Sequence, residues 1–303
     1  MTDVILLDGG MGQELVKRSN EPATALWSTR VLIDQPEIVQ AVHEEYIDSG
    51  ARIITLNSYA VLPDRLARFG IEDRLAELQL AACRLANQAR DAKALDVAIA
   101  GSFGPLGWSY RPDLTFPEDE AAEIYAEIAK IQAPHVDLII CETMSSIGQA
   151  RGALKGAAAA NRPVWLSVSV DDHDGTKLRS GEPVAGLAAA VADLRCDGFL
   201  INCSLPEAVG AGIPWLPQIG LPIGGYANGF HAITSAYVVQ GATVDDLAHR
   251  QDLTPERYAE FALAWIDSGA SVVGGCCETG PAHIAYLRDR LVADGHKIVG
   301  VTS

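Results

Sequence analysis

The chain has 303 residues, 49% of them hydrophobic, with 39 acidic against 23 basic side chains and a formal net charge of −16. That length and apolar content suffice for a large buried core, while scattered basic residues in an acidic chain argue against nucleic acid or an anionic membrane surface as partner. What remains is a soluble protein that handles small molecules and is mildly suited to a cationic one.

The opening residues MTDVILLDGG combine an acidic side chain, a short apolar run and glycines, which is not the pattern of a secretory leader. The alanine-rich stretch KGAAAANRP is too short, and too polar at its ends, to span a bilayer. A cytoplasmic location is expected. The six cysteines, at positions 83, 141, 196, 203, 276 and 277, then read as thiols or metal ligands rather than a disulfide framework.

Along the chain, short β-branched runs alternate with longer helical patterns. The run Val4–Leu7 is followed by the amphipathic segment PEIVQAVHEEYIDSG, and Arg52–Leu56 by EDRLAELQLAACRLANQARDA. Val97–Ala100 precedes PEDEAAEIYAEIAKIQA. The runs Asp137–Ile140, Val164–Val168, Phe199–Ile201 and Pro222–Gly224 come next, and TPERYAEFALAWIDSG leads into Ser271–Val273. Pro36 and Pro255 fall where a first helical turn tolerates proline, and Gly50 and Gly269 close their helices. Eight strand candidates separated by helices, with no linker or change of composition, predict a single-domain α/β protein over residues 1–303, a (β/α)8 TIM barrel. A doubly wound open sheet is the competing arrangement.

The residues that follow the runs carry the chemistry. They are DGGMG (8–12), NSYA (57–60), GSFGP (101–105), CET (141–143), NCS (202–204), GGYANG (224–229) and GGCCETG (274–280). In a barrel these segments converge on one face, at the carboxyl ends of the strands, where active sites are built.

Cys203, Cys276 and Cys277 all belong to that face. If Gly274 and Gly275 turn the chain, both adjacent thiolates can reach one ion, with Cys203 as a third ligand. Three thiolates around zinc leave one tetrahedral position open, as in a catalytic site. A substrate thiol in that position would be held as the nucleophilic thiolate. The alternatives are a vicinal disulfide or two buried thiols. Cys83 and Cys196 read as small packing residues, and Cys141 as core or support. Asp8 and Glu142 end strands one and four, where a carboxylate is costly unless paired. The α-ammonium of an amino acid would suit both, and the amides after Asp8 could receive a carboxylate; alternatively, Asp8 caps the next helix. Trp27, Tyr59, Phe103, Trp108, Tyr110 and Tyr226 could offer aromatic faces to a methylated ammonium or sulfonium group, or be core. The Tyr59 hydroxyl could also touch the metal or the donor. The stretch DDHDGTKLRSG reads as a solvated loop.

Taken together, DGGMGQEL, LWSTRVL, PEIVQAVHEEYIDSGARIIT, NSYA, GSFGP, CET, NCS, YANG and GGCCETGPAHI resemble the zinc-dependent homocysteine S-methyltransferase family. That family includes the betaine– and S-methylmethionine–homocysteine enzymes. The resemblance runs over nearly the whole chain. Asparagine–cysteine followed much later by GGCC at a barrel rim is its specific part. It implies Zn2+ on Cys203, Cys276 and Cys277, homocysteine on Asp8 and Glu142, and its carboxylate lined by Gly9 and Gly10. It also implies Tyr59 near metal and donor, and Trp27 near the donor. Gln13 stands where many members carry Thr or Ala, and YANG replaces a commoner proline–asparagine version.

The implied activity is methionine formation, by methyl transfer to homocysteine thiolate from a small onium donor such as S-methylmethionine, another sulfonium or betaine. Methyltetrahydrofolate is disfavoured, because cobalamin-carrying domains are lacking. The implied assembly is a monomer or small homo-oligomer. A methyltransferase for another thiol or selenol, and a non-catalytic zinc- or thiol-sensing barrel, remain as alternatives.

Overall fold

A computed structural model describes residues 2–19, 24, 26–233 and 247–301 of the chain. The expected 1–303 domain extends into residues outside these.

The helical patterns fold as amphipathic helices against strands. Helix Pro36–Asp48 buries Val39, Val42, His43, Tyr46 and Ile47, one apolar stripe at the helical period, and begins with proline at its first turn. Gly50 just beyond it has φ 108°, a conformation that favours glycine, and Gly269 does the same at φ 104° after helix Pro255–Asp267. His43 sits in the apolar stripe of its helix, and burial lowers its pKa to about 3, so it stays neutral.

The strands are β1 (Asp3–Leu6), β2 (Ile53–Thr55), β3 (Ala98–Phe103), β4 (Leu138–Met144), β5 (Val164–Val168), β6 (Gly198–Asn202), β7 (Ile223–Ala227), β8 (Val272–Gly275) and β9 (Lys297–Ile298). They form one sheet in the order β2-β3-β4-β5-β6-β7-β8-β1-β9, with all pairings parallel. The ring closes where Leu7 bridges Ile53, with Arg52 N–H donating to the Leu6 carbonyl at 2.7 Å and Asp8 N–H to Ile53 at 3.0 Å. The eight expected strands are therefore present in a closed α/β barrel rather than an open sheet. The ninth, absent from the sequence-based expectation, is a two-residue strand on the amino-terminal half of β1, at the far end from the site.

Alternation along each strand sorts side chains into two cores. Leu7, Ile53, Ala100, Leu138, Ile140, Trp165, Leu200, Tyr226 and Val272 pack together inside the ring. Their neighbours Leu6, Ile54, Ile99, Ile139, Leu166, Ile201 and Val273 pack outward, against the helices. The inner phase continues to the carboxyl ends of the strands. Two residues beyond Ile140 comes Glu142, beyond Ala100 comes Ser102, and beyond Leu200 comes Asn202.

Candidate metal and substrate site at the barrel mouth

The inward residues at those strand ends surround a cavity of about 280 Å3, lined on its floor by Asp8, Glu142, Cys203, Cys276 and Cys277. All nine residues expected at the site (Asp8, Gly9, Gly10, Trp27, Tyr59, Glu142, Cys203, Cys276 and Cys277) border it.

The sulfur of Cys203 lies 3.0 Å from that of Cys276 and 3.8 Å from that of Cys277, and all three lie within 4.8 Å of one another. A tetrahedral zinc with bonds of about 2.3 Å to sulfur needs edges of about 3.8 Å between sulfurs; the Cys203–Cys277 edge has that length, and the shorter Cys203–Cys276 edge would open to admit such an ion. All six cysteines are free thiols, so the pair is not a vicinal disulfide. Cys83 and Cys141 are fully buried in the outer core, and Cys196 gives its S–H to the Gly198 carbonyl.

The route by which adjacent cysteines meet differs from the expected turn at the glycines. Gly274 and Gly275 are still part of β8, and neither has positive φ. They are glycines because the chain is crowded there. A Cβ on Gly274 would approach the Leu7 side chain to 2.5 Å, and one on Gly275 would approach Thr279 Oγ1 to 2.1 Å. The reversal comes one residue after the pair, at Glu278 with φ 66°.

Positive φ on residues other than glycine is concentrated at this mouth. Trp27, Tyr110, Thr143 and Cys203 line the cavity and Glu278 adjoins it, leaving only Asn161 elsewhere among the described residues. Such strain persists where surrounding bonds over-determine it. Thr143 is held by Asn202, whose Oδ1 accepts the Thr143 amide at 2.9 Å while its Nδ2 donates to Thr143 Oγ1 at 2.9 Å. Cys203 is held by its amide on the Tyr226 carbonyl at 3.1 Å.

Asp8 does not cap the helix Met11–Ser19 that follows. Its carboxylate accepts the Thr55 amide at 2.7 Å and the Thr55 hydroxyl at 3.0 Å. Glu142 accepts the Ser102 hydroxyl in a short bond and the Tyr226 hydroxyl at 3.0 Å. Burial pushes the Asp8 carboxyl up to about 8 against the Thr55 bonds, and the nearby charge of Glu142 adds to the rise. Burial likewise lifts Glu142 to about 7, opposed by Ser102 and Tyr226. Two carboxyls kept in this state are under-compensated until a cation arrives.

Among the thiols, Cys203 is shifted well below the ordinary range, by hydrogen bonds with Cys276 and then Cys277. The Tyr110 hydroxyl at 2.9 Å and the Arg179 charge help. Cys276 and Cys277 are pushed up, chiefly by their proximity to Cys203. The hydroxyl against the thiols is thus that of Tyr110, whereas the Tyr59 hydroxyl bonds Ser109 at 2.8 Å.

The stretch expected to be a solvated loop is partly interior. Asp172 and Arg179 pair at 3.2 Å with side chains 4% and 10% exposed. Arg179 reaches the Cys203 carbonyl at 3.4 Å and lies over the Tyr110 ring at 4.9 Å. Asp172 accepts the Leu205 and Ile233 amides. The pair thereby braces the loop behind Cys203, a role that charge patterning alone does not reveal.

On the other side, Trp27 meets Tyr59 edge-to-face at 6.0 Å, and its Nε1–H donates to Gln13 Oε1 at 2.9 Å. Gln13 Nε2 in turn donates to Glu278 at 2.6 Å, tying that wall to the residue after Cys277. Gly10 spends its amide on the Thr279 carbonyl at 2.9 Å, which leaves Gly9 as the loop amide suited to a carboxylate. A Cβ on Gly10 would come within 2.4 Å of the Cys276 carbonyl. Gly10→Ala is expected to cost about 1–3 kcal/mol by overpacking and to displace Cys276. Thermal melting and zinc titration would check this; undiminished metal affinity would show that Gly10 does not set the Cys276 position.

Sequence reasoning had passed over Ser102, Thr55, Arg65 and Arg68, and had noticed Tyr226 only as an aromatic. For Ser102 and Tyr226 the signal was available, since both continue the inner phase of their strands. Arg65 and Arg68, on and beside the short helix Pro63–Ala67, gave none.

The family profile described as homocysteine S-methyltransferase matches residues 5–291. The chain is 30% identical to the homocysteine S-methyltransferase of Escherichia coli (strain K12), over 95% of each chain. It is 28% identical to the homocysteine S-methyltransferase YbgG of Bacillus subtilis (strain 168), over 94% of this chain and 93% of that one. The metallated form of the homocysteine methyltransferase MmuM from Escherichia coli is similar in structure, with a TM-score of 0.77 at 28% identity, covering 95% of this chain and 96% of that one.

Proposed function

The chain belongs to the homocysteine S-methyltransferase family, and from that premise we propose a division of labour at the barrel mouth for homocysteine methylation. The chain acts as one unit over 1–303. Cys203, Cys276 and Cys277 hold Zn2+, and Asp8 and Glu142 receive the homocysteine ammonium. Gly9 and Gly10 border its carboxylate, and Trp27 and Tyr59 border a small onium donor such as S-methylmethionine, another sulfonium or betaine. The observation that carries this reading is the placement of three clustered thiols and two buried carboxyls around one cavity.

When bound, zinc lowers the pKa of a substrate thiol and so supplies a thiolate at neutral pH. The residues of the chain do the rest by position. The ammonium of homocysteine, fixed between Asp8 and Glu142, turns its side chain toward the cysteines. The carboxyls then lose their protons, because the burial that raised their pKa values is offset by the arriving charge. Apolar walls exclude water from the reacting atoms. A bond forms between the homocysteine sulfur and the methyl carbon as the donor's bond to that carbon breaks, and the donor leaves as a neutral sulfide or amine. Charge is lost along this path, so a poorly solvated cavity favours it. No proton moves at carbon, so catalysis rests on thiol deprotonation and on holding two substrates in line.

A barrel that only sensed metal or redox state would have no use for two carboxyls buried across from its thiols. Among the described residues no helix is long and apolar enough to cross a membrane. The test is the zinc-reconstituted protein with homocysteine and, in turn, S-methylmethionine, betaine and methyltetrahydrofolate. Methionine is expected from an onium donor. Stoichiometric zinc with no methionine from any of the three would overturn the reading.

A further inference from the structure

Glu278, the residue that reverses the chain after the cysteine pair, has φ 66°. Glycine adopts that conformation at no steric cost, so a charged side chain held there calls for a use of its carboxylate. The side chain is only 10% exposed, and its carboxylate meets partners from two segments far from it in sequence. Oε1 accepts Gln13 Nε2 at 2.6 Å, while Oε2 accepts Lys17 Nζ at 2.9 Å and lies 2.7 Å from His249 Nδ1.

Each of these segments leads on to an aromatic ring of the cavity. In the helix Met11–Ser19, Gln13 Oε1 accepts the Trp27 indole N–H at 2.9 Å. The indole lies so close to Gly12 that a Cβ there would come within 2.2 Å of the ring. In the other segment, His249 meets the Phe230 ring edge-to-face at 5.5 Å and forms a backbone bridge with that residue. The Gly229 amide adds a bond to the Cys277 carbonyl at 2.8 Å. Trp27 and Phe230 both line the cavity and pack with Cys203 and Cys277. The thiols follow β6 and β8, whereas the indole precedes the helix Ser28–Asp34. Their spacing therefore depends on side-chain bonds between loops rather than on the strand ladder.

We propose that Glu278 is a positioning residue for methyl transfer, which through Gln13 and His249 fixes Trp27 and Phe230 against the turn that carries Cys277. The inference rests on the reading of this cavity as the site of homocysteine methylation. Glu278 touches neither substrate. Its part is to hold the wall beside the donor at a set distance from the sulfur that attacks, since a misplacement of about 1 Å is enough to slow such a step severely. The ammonium of homocysteine is received elsewhere, by Asp8 and Glu142, so losing this clasp spares the binding of the amino acid.

The test uses the fact that the bond between Gln13 and Glu278 can be reversed. Gln13→Glu sets two carboxylates against each other. Adding Glu278→Gln restores the bond with the amide on the opposite side, while the new carboxylate at position 13 can still accept the Trp27 indole N–H. In zinc-loaded protein with homocysteine and whichever onium donor the parent uses, Gln13→Glu should lower kcat/KM for the donor by about tenfold to a hundredfold. The double variant should return to within about threefold of the parent. Zinc content and the dissociation constant of norvaline, a thiol-free amino acid, should stay within about twofold of the parental values in both. Melting curves establish that each variant is folded at the assay temperature. A loss in Gln13→Glu below about tenfold, a loss that Glu278→Gln does not repair, or one matched by weaker norvaline or zinc binding would each overturn the role. If no donor yields methionine, the methyl-transfer reading fails, and nuclear magnetic resonance judges the clasp separately. Solvent exchange of the Trp27 indole N–H, identified by its absence in Trp27→Phe, is compared between the zinc-loaded parent and Glu278→Ala. Exchange faster by about fivefold or more supports the clasp, and any smaller change rejects it.

Discussion

Cys276→Ala, prepared with zinc present, is expected to carry no stoichiometric metal and to form methionine at least about a thousandfold more slowly than the parent chain. Two losses multiply. A free thiol near neutral pH is only a few per cent thiolate, so losing metal-assisted deprotonation costs about 30-fold. Misplacing a reacting atom by about 1 Å costs on the order of a further 100-fold. Cys203→Ala should behave alike. Both proteins should remain folded, because the ring is closed by backbone bonds away from the thiols. Alanine can also replace Cys203 at φ 49° with no new crowding from a larger side chain. Zinc content by atomic emission, a methionine assay and far-ultraviolet circular dichroism check the three parts. A metal-free Cys276→Ala protein turning over at the parental rate would refute the role of the thiol cluster.

Glu142→Gln should weaken homocysteine binding by about 30- to 1000-fold, the equivalent of about 2–4 kcal/mol for removing one partner of a buried charge pair. The amide can still accept from Ser102 or Tyr226, so the wall should keep its shape. Calorimetry with norvaline isolates this effect from thiol chemistry, and an unchanged dissociation constant would reject the assignment. In the parent chain, the same affinity should fall as pH drops from 8.5 to 6, since Asp8 at about 8 and Glu142 at about 7 take up protons.

Asp8 also links the site to stability. Its carboxyl titrates near 3.8 when exposed and near 8 when folded. Between those values the unfolded chain has released a proton that the folded chain keeps, so stability falls as pH rises, and above 8 the full cost is present. Asp8→Asn should therefore melt above the parent at pH 8.5 and approach it toward pH 4, while losing substrate affinity. A parent chain that melts higher than Asp8→Asn at pH 8.5 would contradict this.

These expectations depend on different amounts of sequence information. The barrel was legible because hydrophobic alternation and helical periodicity are local, and eight repeats of them admit few topologies. The thiol trio was legible because Cys203 and the Cys276–Cys277 pair each follow a strand run, and strand ends converge in a barrel. The function of Gly274 and Gly275 was misread. A double glycine suggests a turn, but here it answers to the closeness of Leu7 and Thr279, which belong to distant parts of the chain. The segment DDHDGTKLRSG looked solvated because charge usually is. Burial of Asp172 with Arg179 follows only from the loop folding back behind Cys203.

By itself the sequence determined the α/β barrel, the face on which the chemistry lies, the three thiols and the two carboxyls, since each depends on a residue's type and its place in a repeating unit. Only the tertiary structure decided that Tyr110 rather than Tyr59 meets Cys203, that Thr55 holds Asp8, and that Arg65 lies over the Tyr59 ring. Those facts depend on distances between loops of different strands. Strand periodicity carries a side chain to the rim, but packing among the loops sets which of its neighbours it touches there.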